Sequence, residues 1–224
     1  MSRQRLYVHE DVMVRTENVC LDGTLTLPPG AQALVVFAHG SGSSRHSPRN
    51  RFVAGSLVDL GLGTLLFDLL TPEEEAIDER TRHLRFDIPL LARRLTGTID
   101  WVSVDPVTSG LVLGLFGSST GSAAALIAAA ARPAAVGAVV SRGGRPDLAG
   151  RMLPRVQAPT LFLVGGRDEP VIELNREAAR EMTCPWRLEV IPGATHLFSE
   201  SGALETVARL AGEWFQSKLQ PART

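Results

Sequence analysis

The feature that most constrains this chain is an alternation of short, almost wholly apolar runs with longer segments of helical character. The runs are ALVVFAHG (33–40), GTLLFDLL (63–70), GLVLGLFG (110–117), AAVGAVVS (134–141), PTLFLVGG (159–166) and RLEVIPG (187–193). A strand that is apolar on both faces has to be covered on both faces, which is the condition met by a parallel sheet with helices above and below it. The expected class is therefore α/β, a mostly parallel central sheet with helices on both sides. Ahead of the first run, DVMVRTENVCLDGTLTLPPG (11–30) holds two β-rich pieces separated by turn formers, the second containing Asp22-Gly23, and predicts an antiparallel start to the sheet. At the other end, Leu204, Val207, Leu210, Ala211, Trp214 and Phe215 recur at helical spacing and predict a closing amphipathic helix. No internal repeat or linker interrupts the series. With 224 residues, 44% of them hydrophobic, one core and a single domain over 1–224 are expected.

Charge narrows the partners. The formal net charge is −1, so nothing in the overall balance favours nucleic acid or an anionic membrane, both of which call for a strong basic excess. Any basic site must be local, and it would be built from arginine, because Lys218 is the one lysine. The opening MSRQRLYVHEDVMV lacks the apolar stretch of a signal peptide, and no run of eighteen apolar residues follows, so a cytoplasmic protein is expected. Cys20 and Cys184 have the spacing of neither a metal site nor a redox pair. No metal is expected.

Chemistry enters with LFGSSTGSAAA (115–125), where serines crowd the junction between an apolar run and an alanine-rich helical segment. A nucleophile carried on a sharp strand-to-helix turn needs small residues two before and two after it. Centring that turn on Ser119 puts Gly117 and Gly121 at those positions; Ser118 would put Phe116 and Thr120 there, and Ser122 would put Thr120 and Ala124 there. Only Ser119 meets the steric demand. A serine hydroxyl attacks only when a base takes its proton and an acid orients that base. Asp168, in VGGRDEPV, and His196, in GATHLF, each follow a predicted strand in that order. Asp168 could instead be a helix N-cap, with Glu169 beside it or Asp147 after the preceding strand serving as the acid. Donors for the charge developing on a carbonyl oxygen are expected from the backbone N–H of Thr120 and of Ser41, with Gly42 the alternative to Ser41. His39 is read as a residue that fixes this loop.

These segments, together with HGSGSSRHSPRN and SRGGRPDLAG, make the chain resemble the α/β-hydrolase superfamily, and more narrowly its dienelactone hydrolase-like branch, over about residues 11–217. They are also similar to small hydrolase domains that occur alone or fused to phosphoribosyltransferases, a partner for which this chain is expected to lack room. The resemblance implies a serine hydrolase acting on small-molecule esters, with no metal or organic cofactor; apart from 71–87 no insertion is long enough for a large lid domain. Dienelactone hydrolases themselves carry cysteine where Ser119 stands here.

Basic residues collect beside the predicted crevice. Arg45, His46, Arg49 and Arg51 follow the expected oxyanion loop, and Arg142 and Arg145 follow a strand end. Arginine's rigid fork suits carboxylate or phosphate, so Arg45 and Arg142 are candidate substrate-binding residues for an anionic ester; the competing expectation pairs these arginines with Glu73, Glu74, Glu75 and other acids. The stretch TPEEEAIDERTRHLRFD (71–87) reads as a solvated loop leading into a helix, or as a small flap at the crevice. Three activities compete: ester hydrolysis, thioester or amide hydrolysis with the same residues, and non-catalytic small-molecule binding on the same fold.

Overall fold

The structure, a computed structural model, describes residues 7–220. Eight strands form one sheet: β1 (Val8–Thr16), β2 (Val19–Leu27), β3 (Ala33–Ala38), β4 (Gly63–Phe67), β5 (Val112–Ser118), β6 (Val136–Arg142), β7 (Thr160–Gly165) and β8 (Trp186–Ile191). Their order is β1-β2-β4-β3-β5-β6-β7-β8. The first two strands form an antiparallel hairpin that joins β4 antiparallel, and every later pairing is parallel. The six apolar runs are thus β3 to β8. The hairpin turns at Glu17-Asn18, while Asp22-Gly23 lies inside β2 opposite Met13 and Val12. Turn chemistry alone would have favoured Asp-Gly, but the glycine is used where β2 packs closely against Leu65 and Phe67 of β4.

Among the described residues six α-helices accompany the sheet: α1 (Pro48–Asp59), α2 (Pro72–Thr81), α3 (Ile88–Val104), α4 (Thr120–Ala131), α5 (Glu169–Glu181) and α6 (Ala203–Lys218). One face packs Leu91, Leu95 and Ile99 of α3 and the alanines of α4 against Leu34, Val36, Leu115 and Val139. The other packs Val53 and Leu57 of α1 and Val207, Ala211 and Phe215 of α6 against Val35, Phe37, Phe116 and Val140. Phe37 and Phe116 meet with ring centroids 4.8 Å apart under this second layer. Each such side chain taken from water stabilises the fold by about 1.5–3 kcal/mol. The run of small side chains in α4 lets that helix lie close on the strands.

Residues 71–87 depart from the expected loop, since most of them form α2. Thr71 caps it, its hydroxyl accepting from Glu74 N–H while the Glu74 carboxylate accepts from Thr71 N–H, with Pro72 at the first helical position. That reciprocal cap, together with Glu73, Glu74 and Glu75 at the positive end of the helix dipole, replaces the apolar periodicity this helix lacks. A short 3-10 turn, Leu84–Phe86, then leads into α3. Asp78 is buried and takes the Arg85 side chain at 2.5 Å, folding the segment back on itself.

From β3 the chain crosses to β4 on one side and returns to β5 on the other. The carboxyl ends of β3 and β5 therefore flank the switch point where open α/β sheets form their crevice.

Candidate active site

Ser119 sits at that switch point, between the last residue of β5 and the first of α4, at φ 50° and ψ −123°. A positive φ in a residue with a β-carbon costs about 1–3 kcal/mol. The neighbours hold it there: Ser119 N–H donates to the Arg142 carbonyl at 3.2 Å, and its own carbonyl accepts from Arg145 N–H at 3.1 Å. The expected flanking glycines prove sterically compulsory. A β-carbon at Gly117 would lie 2.5 Å from Ser122 Cα, and one at Gly121 would lie 2.3 Å from the Ala38 carbonyl oxygen. The second demand comes from the end of β3 and not from residue 117, a tertiary contact that spacing alone does not reveal.

The loop leaving β3 lies directly against the turn. A β-carbon at Gly40 would come within 3.0 Å of Ser119 Cβ, so the backbone at Gly40 lies against the Ser119 side chain. Thr120 opens α4, where N–H groups of the first turn have no partner within the helix. His39 fixes the loop: its Nε2 accepts from Leu69 N–H at 3.1 Å, so Nδ1 carries the proton and donates to the Gly40 carbonyl at 3.0 Å. Burial holds its pKa below the ordinary value, opposed by the bond to Gly40 and the charge of Asp68, and the ring is neutral.

Asp168 and His196 are brought together by the ends of β7 and β8. Gly165 closes β7 so tightly on the loop after β8 that a β-carbon there would lie 2.5 Å from the Ala194 carbonyl, and Arg167 N–H donates to that same carbonyl at 2.9 Å. Across this junction His196 Nδ1 lies 2.6 Å from Asp168 Oδ2. Asp168 does occupy the N-cap position of α5, but its side chain makes no capping bond; the carboxylate is spent on His196. The alternative acids are engaged elsewhere or face outward, Asp147 holding Arg145 at 2.7 Å and Glu169 being exposed. With its proton on Nδ1 facing a carboxylate, His196 keeps a lone pair on Nε2. The ring borders the turn after β6, where a β-carbon at Gly143 would stand 3.5 Å from His196 Cε1; that turn also holds the Ser119 backbone.

Several residues that local sequence does not mark complete the surroundings. Glu200 accepts from Thr195 N–H at 3.0 Å, a bond that also keeps its carboxyl below the usual range, and so ties down the segment carrying His196. Phe198, buried and at φ 54°, anchors the same segment in the core. Ser118 Oγ donates to Asn50 Oδ1 at 3.2 Å, linking the turn to α1.

The arginines divide. Arg45 is held by Asp68, through both backbone and side chain, with Asp22 at 3.7 Å; Arg145 is held by Asp147. Ion pairing is thus the state of these two, though with aspartates and not with Glu73–Glu75; Glu74 holds Arg94. Among the described residues no carboxylate pairs with Arg142. It is buried at the end of β6, and its burial and the nearby charge of Arg49 bring its pKa down to about 10. A groove of about 930 Å³ opens on the α3–α4 side between Trp101, Ile127 and Met152 and contains none of these groups.

Comparison with known proteins agrees with this architecture. The family described as alpha/beta hydrolase domain matches residues 31–209. The chain is 58% identical to a dienelactone hydrolase of Anabaena variabilis of known crystal structure, covering 96% of this chain and 99% of that one, with a TM-score of 0.94. Est1E from Butyrivibrio proteoclasticus shares the fold at 17% identity and a TM-score of 0.76, over 92% of this chain and 98% of that one. Over 92% of its length the chain is also 56% identical to proteins of Mycobacterium tuberculosis named "Putative phosphoribosyl transferase", of which it spans 46%. It thus spans about half the length of these curated relatives.

Proposed function

Because the chain belongs to the α/β-hydrolase domain family, in its dienelactone hydrolase-like branch, we propose that it is a serine hydrolase that cleaves small carboxylic esters. The observation that carries this reading is the 2.6 Å contact of His196 with Asp168, made beside the turn on which Ser119 is held at positive φ. His196 Nε2 takes the proton of Ser119 Oγ as Oγ attacks the ester carbonyl carbon. The N–H groups of Ser41 and Thr120 hold the resulting oxyanion, each donor contributing about 3–4 kcal/mol to the transition state. Collapse of the tetrahedral intermediate breaks the bond to the alcohol oxygen, which takes the proton from His196. Water, deprotonated by the same nitrogen, then attacks the acyl-serine, releases the carboxylic acid and restores Ser119. We attribute the transferase name of the mycobacterial relatives to the half of those chains that this one does not span.

Labelling with a fluorophosphonate tests the reading. Folded wild-type protein should be labelled covalently, and Ser119→Ala should lose both labelling and the hydrolysis of 4-nitrophenyl esters. Folded protein that resists the probe would overturn the proposal and leave non-catalytic binding as the use of the fold.

A further inference from the structure

Three arginines that are buried or half-buried each have a carboxylate: Arg45 has Asp68, Arg85 has Asp78 and Arg94 has Glu74. Arg142 and Arg49 break the rule. Arg142 is 8% exposed, its Nε and Nη1 are buried without any hydrogen-bond partner, and its Nη2 reaches only Asn50 Oδ1, at 3.4 Å. Arg49, whose positive charge bears on Arg142, likewise has a buried Nε without a partner. Among the described residues no acid forms an ion pair with either. A buried guanidinium beside a second, half-buried one, with donors left open on both, is tolerated only where something else supplies the counter-charge. The Phe198 ring, with its centroid 5.9 Å from the Arg142 guanidinium carbon, offers one a face but no negative charge. Arg49 also lies in the first turn of α1, whose dipole adds positive potential at the same point.

The position of this pair says what the counter-charge would do. The Arg142 carbonyl accepts from Ser119 N–H, Phe198 lies two residues beyond His196, and Asn50 bonds both Arg142 and Ser118. An anion held by these guanidinium groups would therefore lie within one side chain's reach of the Ser119 turn. We propose that Arg142 and Arg49, with the first turn of α1, form a subsite for an oxyanion group, carboxylate or phosphate, carried by the substrate. This rests on the serine hydrolase reading and deepens it, making the substrate an ester with a separate anionic end. The arginine fork suits both groups, which present paired oxygens to it.

Two measurements separate this proposal from the reading beneath it. Thermal unfolding at constant ionic strength needs no turnover: inorganic phosphate and glutarate should each raise the wild-type Tm in a saturable way, and R142Q and R49Q should lose the effect. Without added anion, R142Q should melt no lower than the wild type, since it removes an uncompensated charge; a Tm several degrees lower would give Arg142 a structural role and overturn the subsite. The second measurement is the ratio of kcat/KM for the 4-nitrophenyl monoester of glutaric acid to that for 4-nitrophenyl butyrate. The wild type should favour the anionic ester, and R142Q should lower the ratio at least tenfold. A Tm response to phosphate with an unchanged ratio would overturn the substrate assignment in favour of a free-anion site. An intact Tm response in a protein that the fluorophosphonate does not label would sink the hydrolase reading while leaving anion binding standing.

Discussion

Asp168 stands where α5 begins, yet its carboxylate turns away from the helix and meets His196 Nδ1 at 2.6 Å. A residue in a capping position that caps nothing contributes little to the helix, so its replacement should separate chemistry from folding. Asp168→Asn is expected to lower kcat by about 10³–10⁴, because the amide can present its N–H and stabilise the wrong imidazole tautomer. Stability should change by less than about 1 kcal/mol. Steady-state kinetics and urea denaturation on the same preparation check both halves.

The approach of α4 to the end of β3 gives a steric prediction. Gly121→Ala drives a methyl group into the Ala38 and His39 carbonyl oxygens and should cost upwards of about 2 kcal/mol, with loss of activity as the Ser119 turn shifts. Gly55 is the control: it lies exposed inside α1 with nothing within 4 Å of an added β-carbon. Gly55→Ala should stabilise by about 0.5–1 kcal/mol. Denaturant midpoints of the two variants should move in opposite directions.

His39 gives the fold an acid-sensitive point. Its native pKa lies below 6.5 through burial, so between the two values the unfolded chain binds a proton that the native chain refuses. The stability this ring contributes is complete above the unfolded value and is lost as pH falls through it. The midpoint of urea unfolding should therefore drop between pH 7.5 and 5.5, and by less in His39→Gln, which carries no such proton. Equal drops in the two proteins would rule out this source.

Glu200 is expected to act through the segment it holds. Glu200→Ala frees the Thr195 N–H, and the His196 ring loses part of its orientation. A fall in kcat of about ten- to a hundredfold should follow, with little change in KM. A variant that lost KM and kcat together would point to a wider collapse of the site.

Strand positions were legible because the strands are buried on both faces, leaving a continuous apolar signal that needs no knowledge of neighbours. The tight turn at Ser119 was legible because its steric demand is written into residues two positions away. Helix α2 carries no helical signature in its apolar pattern, for its stability comes from the Thr71–Glu74 cap and the Asp78–Arg85 pair and not from an apolar stripe. The cap pattern is present in TPEE, beneath a density of charge that reads as a solvated loop. Asn50 could not have been found: its partners Ser118 and Arg142 lie 68 and 92 residues away, and nothing around it in the chain marks it. The sorting of the arginines was equally hidden, because whether a guanidinium meets an aspartate depends on which strand ends become neighbours.

The single amide of Asn50 has a consequence for anyone wishing to alter this protein. It joins the helix that follows the β3 loop to the serine turn and to Arg142, so three regions far apart in the chain share one hinge pin. Substitutions made separately in them should not add, and double-mutant cycles should return coupling energies of about 0.5–3 kcal/mol. A library that varies the three together would explore combinations that one-at-a-time mutagenesis discards.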